Sequence, residues 1–89
     1  MSSDAHVTLY TTSWCSFCNN LKRHLRRTET PFAEIDIEEP GNEDAIEWVE
    51  SVNEGNRIVP TVRFSDDTHA TNPRASAVRA KLRELTGEE

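Results

Sequence analysis

Cysteine is scarce in this 89-residue chain: Cys15 and Cys18 are the only two. A lone, close pair of this kind is more often catalytic or metal-binding than structural. Long hydrophobic runs are missing too, and none approaches the about 20 apolar residues that a membrane span needs. Basic charge is in the minority. Ten Lys and Arg stand against sixteen Asp and Glu, for a net charge of −6, which argues against general nucleic-acid binding. The three histidines, His6, His24 and His69, lack the H-x₃₋₅-H spacing of a zinc finger. Repeats, low-complexity tracts and long linkers are absent. Residues 1–6 show neither a basic region nor an apolar segment, so no secretory signal is expected and the protein is expected to be cytoplasmic. The length predicts one domain over residues 1–89, with an ordered core at about 7–86, burying roughly 60 % or more of its surface on folding.

What is present is a C-x-x-C motif in Thr12-Ser13-Trp14-Cys15-Ser16-Phe17-Cys18. It follows a β-rich apolar run (residues 7–12) and opens a helical run (19–28). A C-x-x-C at a strand-to-helix junction is a signature of dithiol redox chemistry. The start of a helix offers unpaired backbone N–H groups to the first sulfur and favours its anionic form, which is the reactive one. Cys15 is therefore the candidate nucleophile. Cys18, one turn in on the inward stripe, is the candidate second cysteine of a redox-active disulfide, able to attack a mixed disulfide formed at Cys15. It would also serve as a small core residue beside Leu21.

The pattern predicts β-α-β-α-β-β-α. Cys18, Leu21 and Leu25 form a helical stripe, which Thr30-Pro31 terminates. Residues 32–37 alternate as a strand. Asn42 is placed to cap a second helix with the stripe Ala45, Val49 and Val52, and Gly55 is placed to end it. Residues 58–64 predict a third strand interrupted at Pro60, and 68–71 a short fourth one. Asn72 as cap and Pro73 at the first helical position predict a last helix with the stripe Ala75, Val78, Leu82 and Leu85, closed by Gly87. The parallel first two strands need the crossover helix that is present. The expected fold is α/β and thioredoxin-like: a four-stranded mixed sheet with three helices packed on it. Charge is uneven, with nine acids and no Lys or Arg between Glu34 and Glu54, and a basic cluster of Lys22, Arg23, Arg26 and Arg27 after the motif.

Several side chains are candidates for the reactive cleft. Trp14 is expected to pack against the sheet edge and shield the site, with substrate contact as its second reading. Phe17 is expected to be exposed on the partner surface, and Tyr10 to be core or cleft wall. Pro60 interrupts a strand pattern and removes a ladder hydrogen bond. One reading is an edge bulge; the other is a cis Val59–Pro60 bond that frees the Val59 backbone for a substrate chain. Arg57 is close enough in sequence to Pro60 to reach the cleft and hold an anionic group.

The C-x-x-C after the first strand, with Val59-Pro60-Thr61 downstream before another strand, resembles the glutaredoxin family across about residues 7–85, and that resemblance implies the cis proline. Two positions depart from it. Thr12 stands where glutaredoxins usually carry a Lys, and Ala70-Thr71-Asn72-Pro73-Arg74 stands where they carry a Gly-Gly and acidic pair that grips glutathione. Thr11-Thr12-Ser13-Trp14-Cys15, Gly55-Asn56-Arg57, Val59-Pro60-Thr61-Val62 and Thr71-Asn72-Pro73 are most similar to the mycoredoxins, the branch of the family that uses mycothiol. That resemblance implies reduction of protein–mycothiol mixed disulfides by a monothiol route through Cys15. A second mycothiol releases the first, and NADPH-dependent mycothione reductase recycles the oxidised thiol. The candidate substrate-binding set is Thr12, Trp14, Phe17, Arg57, Val59, Pro60, Thr71 and Asn72. Mycothiol is a co-substrate; no bound cofactor, no metal, no nucleic acid and no membrane is expected, and the protein is expected to be a monomer.

Two rivals stand beside this reading. One is a thioredoxin-type dithiol donor recharged by thioredoxin reductase; redoxins serving ribonucleotide reductase usually carry Gly-Phe-Arg-Pro where this chain has Asn72-Pro73-Arg74. The other is an iron–sulfur cluster carrier, two chains bridging a cluster through Cys15 and external thiols, which a small residue such as Ser16 would permit.

Overall fold

The computed structural model describes residues 6–87. Residues 1–5, part of the segment read for a secretory signal, lie outside the described residues. The elements run β1 (Val7–Thr11), α1 (Ser16–Arg27), β2 (Ala33–Asp36), α2 (Glu43–Ser51), β3 (Thr61–Phe64), β4 (His69–Thr71) and α3 (Ala75–Thr86). The sheet order is β2-β1-β3-β4. β1 pairs parallel with β2 and antiparallel with β3, and β3 pairs antiparallel with β4. This is the expected thioredoxin-like arrangement.

Successive side chains of a strand point to opposite faces, and the two faces of this sheet carry different helices. Val7 and Leu9 of β1 and Val62 and Phe64 of β3 meet Leu21 and Leu25 of α1 and Val78 of α3. Tyr10 points the other way, into a second cluster with Ile37 and Val49, bordered by Trp48 and Val59. There Trp48 stacks on Tyr10 at 4.7 Å between ring centres, and the Arg63 guanidinium lies 4.9 Å over the Trp48 ring. Fully buried Leu9 and Leu25 each contribute about 1.5–3 kcal/mol. Their burial holds α1 to the sheet, so its first turn is fixed at the C-terminal end of β1. Glu34 of β2 adds a polar tie: it accepts from Thr11 Oγ1 at 2.9 Å and pairs with Lys22 Nζ of α1 at 2.7 Å.

The third tie is Asn53, just beyond α2. Its Nδ2 donates to the Val49 carbonyl at 2.8 Å and to Thr61 Oγ1 at 3.1 Å, and its Oδ1 accepts from Thr71 Oγ1 at 2.6 Å. Only 8 % exposed, this one side chain joins the end of α2 to β3 and β4.

The structure differs from the sequence expectations at three local points. Asn42 occupies the position before α2, but its side chain makes no cap bond; Nδ2 donates instead to the Asp36 carbonyl at 2.8 Å, closing the β2–α2 turn. α3 starts later than expected. Its cap residue is Arg74, in extended geometry, so Pro73 precedes the helix and Asn72 does not cap it. Asn72 takes a left-handed φ of +49°, a conformation Asn tolerates, which turns its N–H onto the Pro60 carbonyl at 2.7 Å. β3 begins only at Thr61, so residues 58–60 form a loop. Gly87 closes α3 at φ +76°, as expected.

Asn53→Ala strands the Val49 carbonyl and the Thr71 hydroxyl and removes the donor to Thr61 Oγ1. It should cost about 1–3 kcal/mol in urea unfolding; a loss below about 0.5 kcal/mol would show the tie to be incidental. Glu34 is pushed upward by burial, but hydrogen bonds from Lys22 and Thr11 outweigh this and leave its carboxyl below the usual 4.5. The unfolded chain therefore binds the proton more readily, so this stabilisation is present above pH 4.5 and is lost as the pH falls below it. Glu34→Gln should flatten the acid limb of the stability–pH curve and leave its slope near pH 7 unchanged.

Candidate active site

Cys15 occupies the cap position of α1, with extended φ −83° and ψ 117°. Its sulfur accepts the N–H of Cys18 at 3.3 Å, the place a Ser or Thr oxygen fills in an ordinary helix cap. A hydrogen bond of this type strengthens when its acceptor is anionic. The Cys15 N–H in turn reaches the Thr12 carbonyl at 3.4 Å, folding residues 12–15 back over the end of β1. Cys15 keeps 6 % of its surface and Cys18 none, and both are free thiols. The small opening at Cys15 is flanked in sequence by two exposed rings, Trp14 at 70 % and Phe17 at 63 %.

The loop before β3 stands opposite this sulfur. The Val59–Pro60 bond is cis, and the Cys15 thiol donates toward the Val59 carbonyl at 3.8 Å. Thr61 Oγ1 ties the loop from below by donating to the Ile58 carbonyl at 2.6 Å, and the Asn72 N–H ties it from the side. Two segments distant in sequence, 12–18 and 58–61, thus meet at one sulfur, with Asn72 bracing the second.

Thr12, Trp14, Arg57 and Val59 line a cleft of about 480 Å³ with Glu38 and Pro40. Thr12 Oγ1 is buried there with no hydrogen-bond partner among the described residues. Trp14 does not pack on the sheet edge as the sequence suggested. Its indole is exposed and held by a 3.0 Å bond from Nε1 to Glu38 Oε1. Arg57 reaches the cleft, but its Nε pairs with Glu50 at 2.7 Å. Arg57 is exposed and Glu50 half-buried, and a pair at the surface of this kind contributes about 0–1 kcal/mol, so Arg57 is readily released. Phe17 lies instead on a second groove, between α1 and α3. Thr71 and Asn72 flank Pro60, with Thr71 committed to Asn53. Tyr10 is core. Glu38 and Asn53 went unnoticed in the sequence: one is an acid among acids, the other looks like a helix end.

The two thiols differ in chemistry. Burial, and then the Cys15 sulfur beside it, push the Cys18 thiol from 9.0 up to about 12. Cys18 therefore stays protonated at neutral pH and is a poor nucleophile, while Cys15 has the helix N–H and the opening. Among the described residues no group of three or more His, Cys, Asp or Glu could hold a metal ion. The arrangement suits two-electron sulfur exchange at Cys15.

A thioredoxin-like sheet with a C-x-x-C at the start of α1 facing a cis-proline loop defines a thiol–disulfide oxidoreductase. The Glutaredoxin family model matches residues 7–70. Mycoredoxin 1 of Corynebacterium glutamicum is 51 % identical over 81 residues, covering 91 % of this chain and 98 % of that protein. The crystal structure of the glutaredoxin of Archaeoglobus fulgidus superposes with a TM-score of 0.70 at 28 % identity, over 89 % of this chain and 87 % of that one. The glutaredoxin of Methanosarcina mazei Go1 shares the fold, with a TM-score of 0.70 over 88 % of this chain and 78 % of that one, at 22 % identity. This chain belongs to the glutaredoxin family.

Iodoacetamide at pH 8 should label Cys15 in Cys18→Ser at least about 100 times faster than it labels Cys18 in Cys15→Ser, as followed by intact mass. Comparable rates would mean that burial does not separate the two thiols.

Proposed function

We propose that this oxidoreductase reduces mixed disulfides between proteins and mycothiol by a monothiol route. The Cys15 thiolate attacks the mycothiol sulfur of the mixed disulfide. The protein thiolate leaves and takes a proton, and Cys15 is left disulfide-bonded to mycothiol. A second mycothiol thiolate then attacks the bound mycothiol sulfur, releasing Cys15 and oxidised mycothiol, which NADPH-dependent mycothione reductase returns to the thiol. Cys18 can form an off-path disulfide with Cys15 but is not needed for turnover. The protein works in the cytoplasm as a monomer, with mycothiol as co-substrate and no bound cofactor.

The observation that carries this reading is the 51 % identity to a mycoredoxin over nearly the whole of both chains. Local chemistry supports it. Thr12 replaces the Lys expected of a glutathione user, and its buried, unpartnered hydroxyl offers a hydrogen bond in the cleft beside Cys15. Trp14 and Val59 wall the same cleft, and Arg57 can swing from Glu50 into it. The free backbone at Val59, beside Pro60, can pair with the incoming chain, with Phe17, Thr71 and Asn72 at the margins.

A single-turnover assay tests this with one target peptide linked either to mycothiol or to glutathione. The mycothiol form should react about tenfold faster or more. Cys15→Ser should abolish the reaction and Cys18→Ser should keep most of it. Equal rates for the two thiols would overturn the thiol assignment, and loss of turnover in Cys18→Ser would overturn the monothiol route. Direct reduction of the oxidised protein by thioredoxin reductase would favour the dithiol-donor rival.

A further inference from the structure

A groove of about 660 Å³ runs between α1 and the start of α3. Arg27, Arg74 and Arg79 line it, together with His24. In a chain with sixteen carboxylates, no carboxylate lines this groove. Of the cations elsewhere, Lys22, Arg57, Arg63 and Lys81 sit in ion pairs, while Arg23, Arg26 and Arg83 lie outside the groove without one. Among the described residues, Arg27, Arg74 and Arg79 pair with no acid. Glu29 lines an adjoining cleft that Arg79 also borders, yet makes no ion pair with it. Arg79 Nε is buried without an acceptor. The first turn of α3 adds free N–H groups, with no acidic residue and no side-chain cap. Three arginines kept clear of the chain's own abundant carboxylates, one with a buried donor unanswered, await an anion from outside.

We propose that this groove docks an acidic peptide segment flanking the disulfide that Cys15 reduces. Phe17 supplies the continuity, because it lines the groove and lies two residues after Cys15. Cys15 to Arg27 spans about 18 Å along α1 at 1.5 Å per residue. An extended peptide covers about 3.4 Å per residue, so carboxylates about two to five positions from the linked cysteine fall over Arg74, Arg79 and Arg27. The acidic stretch of residues 34–54 repels the same segment elsewhere on the surface, which orients the approach. The proposal rests on Cys15 as the attacking sulfur and not on the identity of the small thiol.

The test uses two synthetic peptides, each with one cysteine as a mixed disulfide with 5-thio-2-nitrobenzoate. One carries Asp at the four positions from two to five residues beyond the cysteine, and the other carries Asn there. Cys15 attacks the peptide sulfur, the coloured thiolate leaves, and the Cys15–peptide disulfide forms, so the rate is read without mycothiol. The Asp peptide should react about tenfold faster at about 20 mM salt, and the advantage should collapse at about 0.5 M salt, where the Debye length shrinks to a few ångströms. Arg27→Ser and Arg74→Ser together should cut the ratio to within about twofold while leaving the Asn-peptide rate unchanged. Arg79→Gln should lower the ratio alone. A ratio near one in the wild type, or a ratio that survives the arginine changes, overturns the docking site. A normal Asn-peptide rate in either case shows that the chemistry at Cys15 stands apart from it.

Discussion

The hydrogen bond from the Cys18 N–H to the Cys15 sulfur organises the reactive end of this molecule. It exists only because α1 begins at Ser16, so that the sulfur takes the cap position and the third helical residue supplies the donor. The same turn sends Cys18 inward, where burial keeps its thiol protonated. One local geometry thus places two identical side chains in different surroundings, one at a helix cap and one in the core. Its permanence depends on packing far from the site. Leu21 and Leu25 clamp α1 to β1 and β3, and α3 closes over the same cluster through Val78. A helix this short would fray in isolation; pinned to the sheet, its first turn is a fixed electrostatic fixture.

The facing wall is built differently. Residues 58–60 have no ladder of their own, and their position comes from side-chain and backbone ties. Thr61 holds the Ile58 carbonyl, Asn72 holds the Pro60 carbonyl, and Asn53 joins Thr61 and Thr71 beneath them. Each tie is modest alone, at about 0.5–1.5 kcal/mol net. Together they hold the Val59 carbonyl 3.8 Å from the sulfur. Charge is partitioned around this cleft. Acids crowd the side that carries Glu38 and Glu43, while arginines without acids hold the α1–α3 side.

The element order, both helical stripes that matter for the sheet, and the placement of the two cysteines were legible in the sequence. The cis proline was legible only through family resemblance, since Pro60 by itself fits an edge bulge equally well. Asn42, Asn72 and Trp14 show where legibility stops. Asn42 carries a capping side chain but spends it on the Asp36 carbonyl; Asn72 gives its backbone to Pro60; Trp14 finds Glu38, 24 positions away, and stays in solvent.

The amino-acid order alone determined the alternation of apolar residues, the stop signals and the spacing of the cysteines, because these act over one or two turns of chain. The tertiary structure decided which carbonyl faces Cys15, which hydroxyl is left unpartnered, and which arginines have no acid beside them. Those outcomes join residues separated by as many as 44 positions. Local propensity carries no information about such pairings; they follow only when the two faces of the sheet are filled and each buried polar group must find its partner within reach.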